Sequence, residues 1–117
     1  MNLIIAGGRD FDNYSYLEKV LNHLLSRTDK ETITIFCGKA KGADSLGERY
    51  ALHNGIRVRE FPADWNTHGK RAGILRNIEM GDEATHLVAF HDTVSRGTKQ
   101  MIDYAEKKGL VVKVYNY

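Results

Sequence analysis

Four stretches of the chain join glycine or tryptophan to charged and hydroxyl side chains. They are Gly7-Gly8-Arg9-Asp10, Gly38-Lys39-Ala40-Lys41-Gly42-Ala43-Asp44, Asp64-Trp65-Asn66 with Lys70 and Arg71 beyond it, and Arg96-Gly97-Thr98. Glycine lets a backbone approach a ligand closely. A helix start offers unpaired N–H groups and the positive end of a dipole, which together suit phosphate. Arg9 could grip a phosphate with two parallel hydrogen bonds, or stand as a solvated loop arginine. Asp10 either binds a ribose hydroxyl or caps its own turn. Asp44 complements a helix dipole or meets the ligand. Trp65 either stacks on a base or anchors its loop. Arg76 and Asn77 lie further on; Arg76 reaches a ligand if its helix points at the cleft, and otherwise forms a surface salt bridge.

Other chemistries lack their patterns. No glycine set matches G-x-G-x-x-G or the G-x-x-x-x-G-K-[ST] phosphate loop. His86, His91 and Asp92 lack metal-ligand spacing, so no metal is expected, and no cofactor is implied. No nucleophile elbow is visible. Cys37, the only cysteine, reads as a small buried residue and not as a nucleophile.

The elements that position these residues follow from the apolar pattern. Leu3–Ala6, Thr32–Phe36, Arg57–Phe61, Thr85–Phe90 and Val111–Tyr115 are short, apolar and bounded by glycine or polar residues, as strands are. The first and fourth are nearly continuous apolar runs, suited to central strands, while the third alternates like an edge strand. Helical patterns lie between them: Tyr14–Thr28 after an Asp12 or Asn13 cap, Ala43–Asn54 with Leu46, Tyr50 and Ala51 inward, Lys70–Met80 with the apolar set Ile74, Leu75 and Ile78, and Thr98–Lys108. Strict alternation predicts one doubly wound α/β domain over 1–117. Its parallel sheet has the order 3-2-1-4-5, helices on both faces and a switch point between the first and fourth strands. Ligands of open α/β sheets bind outside the carboxyl ends of the strands. The unusual loops all follow strands, whereas those preceding strands, such as Asn54-Gly55 and Lys108-Gly109, are plain helix stops.

The chain has 117 residues, 17 basic and 15 acidic, for a net charge of +2. That is not the strongly basic surface of a dedicated nucleic-acid binder. One cysteine permits no internal disulfide, no apolar run approaches a membrane span of about 20 residues, and no signal-peptide core opens the chain. A soluble cytoplasmic protein is expected.

Taken together, Gly7-Gly8-Arg9-Asp10-Phe11, Gly42-Ala43-Asp44, Phe61-Pro62-Ala63-Asp64-Trp65, Gly69-Lys70-Arg71-Ala72-Gly73, Arg76-Asn77-Ile78-Glu79-Met80 and Arg96-Gly97-Thr98 resemble the SLOG superfamily. Within it they resemble the YspA/CpYpsA-related family of small Rossmann-like domains. The resemblance implies a Rossmann-like fold that binds nucleotides or nucleotide-derived ligands, and relatives that often pair through helices, so a homo-oligomer is an open expectation. The LOG-type phosphoribohydrolases of this superfamily use a Pro-Gly-Gly-x-Gly-Thr-x-x-Glu loop with phosphate-binding glycines and a catalytic glutamate. Here Gly97 and Thr98 match it and Met101 stands at the glutamate position. Arg76 falls where those enzymes carry an arginine. The resemblance thus implies that phosphate binding is kept and hydrolysis is lost.

The expected function is binding or sensing of a phosphate-bearing nucleotide or derivative, with ligand contacts drawn from Gly7, Gly8, Arg9, Asp10, Gly42, Asp44, Trp65, Lys70, Arg76, Asn77, Arg96, Gly97 and Thr98. The alternative is an N-glycosidic hydrolase using another carboxylate, such as Asp10, Asp44 or Glu79. A single-stranded DNA binder, by analogy with the distant relative DprA, ranks last, because near-neutral charge and one tryptophan argue against it.

Overall fold

The computed structural model describes residues 1–117. Strands β1 (Asn2–Gly7), β2 (Thr34–Cys37), β3 (Arg57–Glu60), β4 (His86–His91) and β5 (Val111–Asn116) form one sheet. Its order is β3-β2-β1-β4-β5 and every neighbouring pair is parallel. Helices α1 (Tyr14–Leu24), α2 (Ala43–His53), α4 (Ala72–Glu83) and α5 (Arg96–Lys107) make the crossovers, with a short α3 (Trp65–His68) ahead of α4. The expected order, direction and edge position of β3 are all present.

Successive residues of β1 face opposite sides, as strand geometry requires, and each side has its own core. Leu3 and Ile5 pack with Leu17, Val20 and Leu21 of α1 and Tyr50 and Ala51 of α2. Ile4 packs with Phe36, Leu87 and Ala89 beneath Met80 of α4 and Met101, Ile102 and Ala105 of α5. The chain therefore places α1 and α2 over one face and α4 and α5 over the other. At the carboxyl end of the central pair, Gly7 lies opposite Phe90, and the two loops leave toward opposite faces.

Three local expectations shift. Helix α1 ends at Leu24 instead of Thr28, with Leu25 closing it by a bond to Leu21. A 3₁₀ turn over Lys30–Thr32, capped by the Asp29 side chain, delays β2 to Thr34. The third helical pattern begins at Ala72, and its buried face is not the apolar stripe. Ala72, Asn77, Met80 and Gly81 are buried, whereas Ile74 is exposed and Leu75 and Ile78 are half-buried. The reason is close packing against α5: a Cβ on Gly81 would lie 2.6 Å from the Tyr104 ring. The small residues must face that neighbour, which turns the isoleucines outward.

Gly42 holds the second loop against the first. Its φ is +79°, and a Cβ there would strike the Gly8 carbonyl oxygen and approach Arg9 Cα at 2.8 Å. Non-glycine residues in strained positive-φ conformations cost about 1–3 kcal/mol, and the backbone clash adds to this. G42A should lose about 3 kcal/mol or more in urea unfolding. G109A, also at φ +79° but with open space around its Cβ, should lose about 1–2 kcal/mol. Equal losses would show that the contact between the two loops contributes nothing.

Candidate functional site

A cleft of about 550 Å³ opens at the carboxyl edge between the loops that follow β1 and β4. The end of β1 and its loop supply Gly7, Gly8, Arg9 and Asp10. Helix α4 supplies Arg76 and Asn77, with Trp65 and Lys70 before it, and α5 supplies Gly97 and Thr98. Asp44 lines the cleft from the start of α2. Eleven of the residues expected at the site thus meet in one place.

Two do not. Gly42 does not border the cleft; it packs behind Gly8 and Arg9, because its task is to let the two loops touch. Arg96 borders a separate depression on the outer side of α5, with Lys99, Gln100 and Asp103. Arg96 shares that outer side with Lys99 and Asp103, one and two helical turns further on, whereas Gly97, Thr98 and Met101 face the cleft.

The first turn of α5 is built to present donors. Asp92 Oδ1 accepts from the Val94 and Ser95 amides at 2.9 and 2.7 Å, and these bonds hold its carboxyl below the usual range. The Thr98 hydroxyl lies 3.1 Å from Ser95 Oγ. The amides of Arg96, Gly97 and Thr98 have no acceptor within the protein, as expected for the orphan donors of a helix start. A Cβ added to Gly97 would meet nothing within 4 Å, so packing does not require glycine there.

A chain of polar contacts fixes this turn to the opposite loops. Asn77 Nδ2 donates to Gln100 Oε1 at 2.8 Å and weakly to the Gly97 carbonyl at 3.5 Å. Its Oδ1 accepts from Arg76 Nε at 2.8 Å, and Arg76 Nη1 donates to the Gly38 carbonyl. Asn77 thus acts on the cleft by holding Arg76. The Arg76 guanidinium is half-buried and has no carboxylate within ion-pair distance. Burial pushes its pKa down while nearby Asp44 opposes the shift, and an arginine remains charged in either case.

Asp44 resolves toward structure. Its two oxygens accept from the Gly38 and Ala40 amides at 3.0 and 3.1 Å, and burial raises its pKa. Asp10 accepts from the Tyr117 hydroxyl at 2.6 Å, a contact with no sequence signal because it spans the whole fold. Gly8 donates its own amide to the Phe90 carbonyl at 3.3 Å, so that N–H is already engaged. Trp65 is 54% exposed at the rim and its ring edge lies beside Gly73. Met101 is buried in the floor. Sequence reasoning missed Ser95, Gly73, Ile74 and Met80, and weighed Asp92 only as a metal ligand. Of these, Ser95 carried a signal as a residue type favoured before a helix. No three His, Cys, Asp or Glu side chains gather to hold a metal, and no helix is long and apolar enough to cross a membrane.

The profile of the YspA, cpYpsA-related SLOG family matches residues 1–68. The chain belongs to that family. It is 33% identical over 118 residues to the gene 61 protein of Mycobacterium phage D29, covering 94% of this chain and 92% of that one. A similar fold is seen in the crystal structure of DNA processing protein A (DprA) from Streptococcus pneumoniae, with a TM-score of 0.77 at 16% identity. That match covers 97% of this chain but 49% of DprA, so the chain spans about half the length of that protein. The SLOG profile covers the loops after β1, β2 and β3; Arg76, Asn77, Gly97 and Thr98 join the site through the fold.

Cys37 lies under Asp44, and burial, with Asp44 adding to it, pushes the thiol up to about 12. At pH 8 the thiolate fraction is then on the order of 10⁻⁴, against roughly a quarter for a free cysteine of pKa about 8.5. A small thiol reagent should therefore modify the folded protein at least about 100-fold more slowly than the urea-unfolded chain. Because the folded pKa is raised, the stability linked to this thiol is complete below pH ~8.5 and declines as pH rises toward 12. Equal modification rates would contradict the buried placement.

Proposed function

We propose that this protein binds a phosphate-bearing nucleotide, or a small molecule derived from one, in the cleft at the carboxyl edge. The observation that carries this is the first turn of α5, where free amides at Gly97 and Thr98 line the same cleft as Arg9 and Arg76. Donors at a helix start and unpaired guanidinium groups are the two features that recognise phosphate. Gly97 leaves room for the anion to approach the backbone. Thr98 adds a hydroxyl, and Trp65 offers a flat apolar face for a base. Membership of the SLOG family supports a nucleotide-related role.

Hydrolysis of the ligand is the weaker reading. Asp44 spends both oxygens on backbone amides and Asp10 is held by Tyr117. Glu79 is exposed and does not border the cleft. Asp92 borders it, but its Oδ1 is spent on the amides of Ser95 and Val94 at the start of α5. Met101 at the relatives' glutamate position can neither move a proton nor stabilise a cationic sugar. Likeness to DNA processing protein A brings in single-stranded DNA as a second ligand class. A net charge of +2 gives little of the phosphate-neutralising surface that such binding uses.

Calorimetric titration with the common nucleoside 5′-monophosphates tests the proposal. One or more should bind, with no free base released. A charge-assisted hydrogen bond contributes about 1.5–3 kcal/mol, so R9A should weaken binding by about 10- to 100-fold. G97V should abolish binding while shifting the urea midpoint little, because its side chain enters open space. Full affinity in both variants would place the ligand elsewhere. Tight, steeply salt-dependent binding of single-stranded DNA in preference to mononucleotides would favour the second ligand class.

A further inference from the structure

The cleft does not end at Arg9 and Trp65. A second chamber of about 520 Å³ opens beyond them, bordered by Gly38–Lys41 of the β2–α2 loop and by Pro62 and Ala63. It shares Arg9, Ala40, Trp65 and Arg76 with the first chamber. Four cationic side chains line it, Arg9, Lys39, Lys41 and Arg76, and no carboxylate does.

Three of these four charges have no ion-pair partner. Lys39 is satisfied by Glu48 and Glu60, at 3.2 and 3.3 Å. Arg9 and Lys41 form no ion pair, and Arg76 spends its bonds on the Gly38 carbonyl and the Asn77 amide oxygen. Like charges gathered in a concavity repel one another, and an anion entering it relieves the repulsion. The backbone is also held for this shape: Lys39 has φ +59°, the left-handed region, which costs a side-chain-bearing residue. The loop is fixed from behind by Asp44, whose carboxylate binds the Gly38 and Ala40 amides.

We propose that the ligand carries two separated anionic groups, one bound at the start of α5 and the other in this second chamber. This rests on the nucleotide reading of the first chamber and makes it more specific. The ligand class is a nucleotide with two phosphates joined through its sugar, such as a nucleoside 3′,5′-bisphosphate. The uncharged middle of the molecule crosses the wall between the chambers, where Trp65 presents a half-exposed ring and Gly73 leaves it room.

Trp65 is the only tryptophan, so its fluorescence reports directly on that wall. The test titrates the protein at fixed ionic strength with nucleoside 5′-monophosphates of the four bases and with the matching 3′,5′-bisphosphates. The bisphosphate of the preferred base should bind at least about tenfold more tightly than its monophosphate, the gain expected from one added charge-assisted contact, and should change Trp65 emission. In K41E the ratio of the two affinities should fall to about one. K107E, which makes the same charge change on the outer side of α5, should keep the wild-type ratio. A ratio near one in the wild type, or equal loss in both variants, overturns the inference. Monophosphate binding that G97V abolishes would then still stand for the first chamber. No binding of either ligand set overturns both readings.

Discussion

The chain leaves β1 toward one edge of the sheet and returns to β4 on its other side, and every feature of the site depends on that reversal. Right-handed crossovers then force α1 and α2 onto one face and α4 and α5 onto the other. No helix can cover the line between β1 and β4, and the loops above Gly7 and Phe90 must part. The gap so formed is bordered by backbone. Free donors there come from the start of α5, and the charge comes from arginines on the flanks.

The gap is open, but its walls are tied. Gly42 lets the β2–α2 loop rest on Gly8 and Arg9. Asp44 holds that same loop from within, and Arg76 reaches across to the Gly38 carbonyl. Through Asn77, Arg76 is joined in turn to the first turn of α5. The β2–α2 loop, helix α4 and the first turn of α5 are thus held by one run of hydrogen bonds, and a fixed arrangement of donors binds an anion with less ordering cost than a mobile one. The buried polar side chains Asp44, Asn77 and Thr98 all belong to this region, whereas the two apolar cores need none.

Much of this was legible from residue order. Continuous apolar runs at β1 and β4 and the alternation at β3 marked centre and edge, and loops joining glycine to charged side chains after strands, against plain helix stops before them, marked the edge where the cleft lies. The packed face of helix α4 was not legible, because Ile74, Leu75 and Ile78, exposed or half-buried, are more apolar than the residues it buries. Periodicity reports hydrophobicity, while close approach of two helices selects small residues such as Gly81. Arg96 lies on the outer side of α5 with Lys99 and Asp103, a placement set by where the helix begins and not shown by its nearness to Gly97 in sequence. The partners of Asp44 and Asp10 were hidden for a different reason. One is set by the fold of its own loop, and the other, Tyr117, lies 107 positions away.

The central claim is that the free amides of the α5 start receive the ligand's phosphate. Amide-resolved NMR during titration with inorganic phosphate and then a nucleoside 5′-monophosphate tests it most directly. The account predicts that the Gly97 and Thr98 amide protons shift furthest downfield, as new hydrogen-bond donors, with smaller changes at Arg9 and at the Trp65 indole. Unmoved Gly97 and Thr98 signals at saturating nucleotide, with the largest shifts on the outer side of α5 around Lys99 and Asp103, would contradict it.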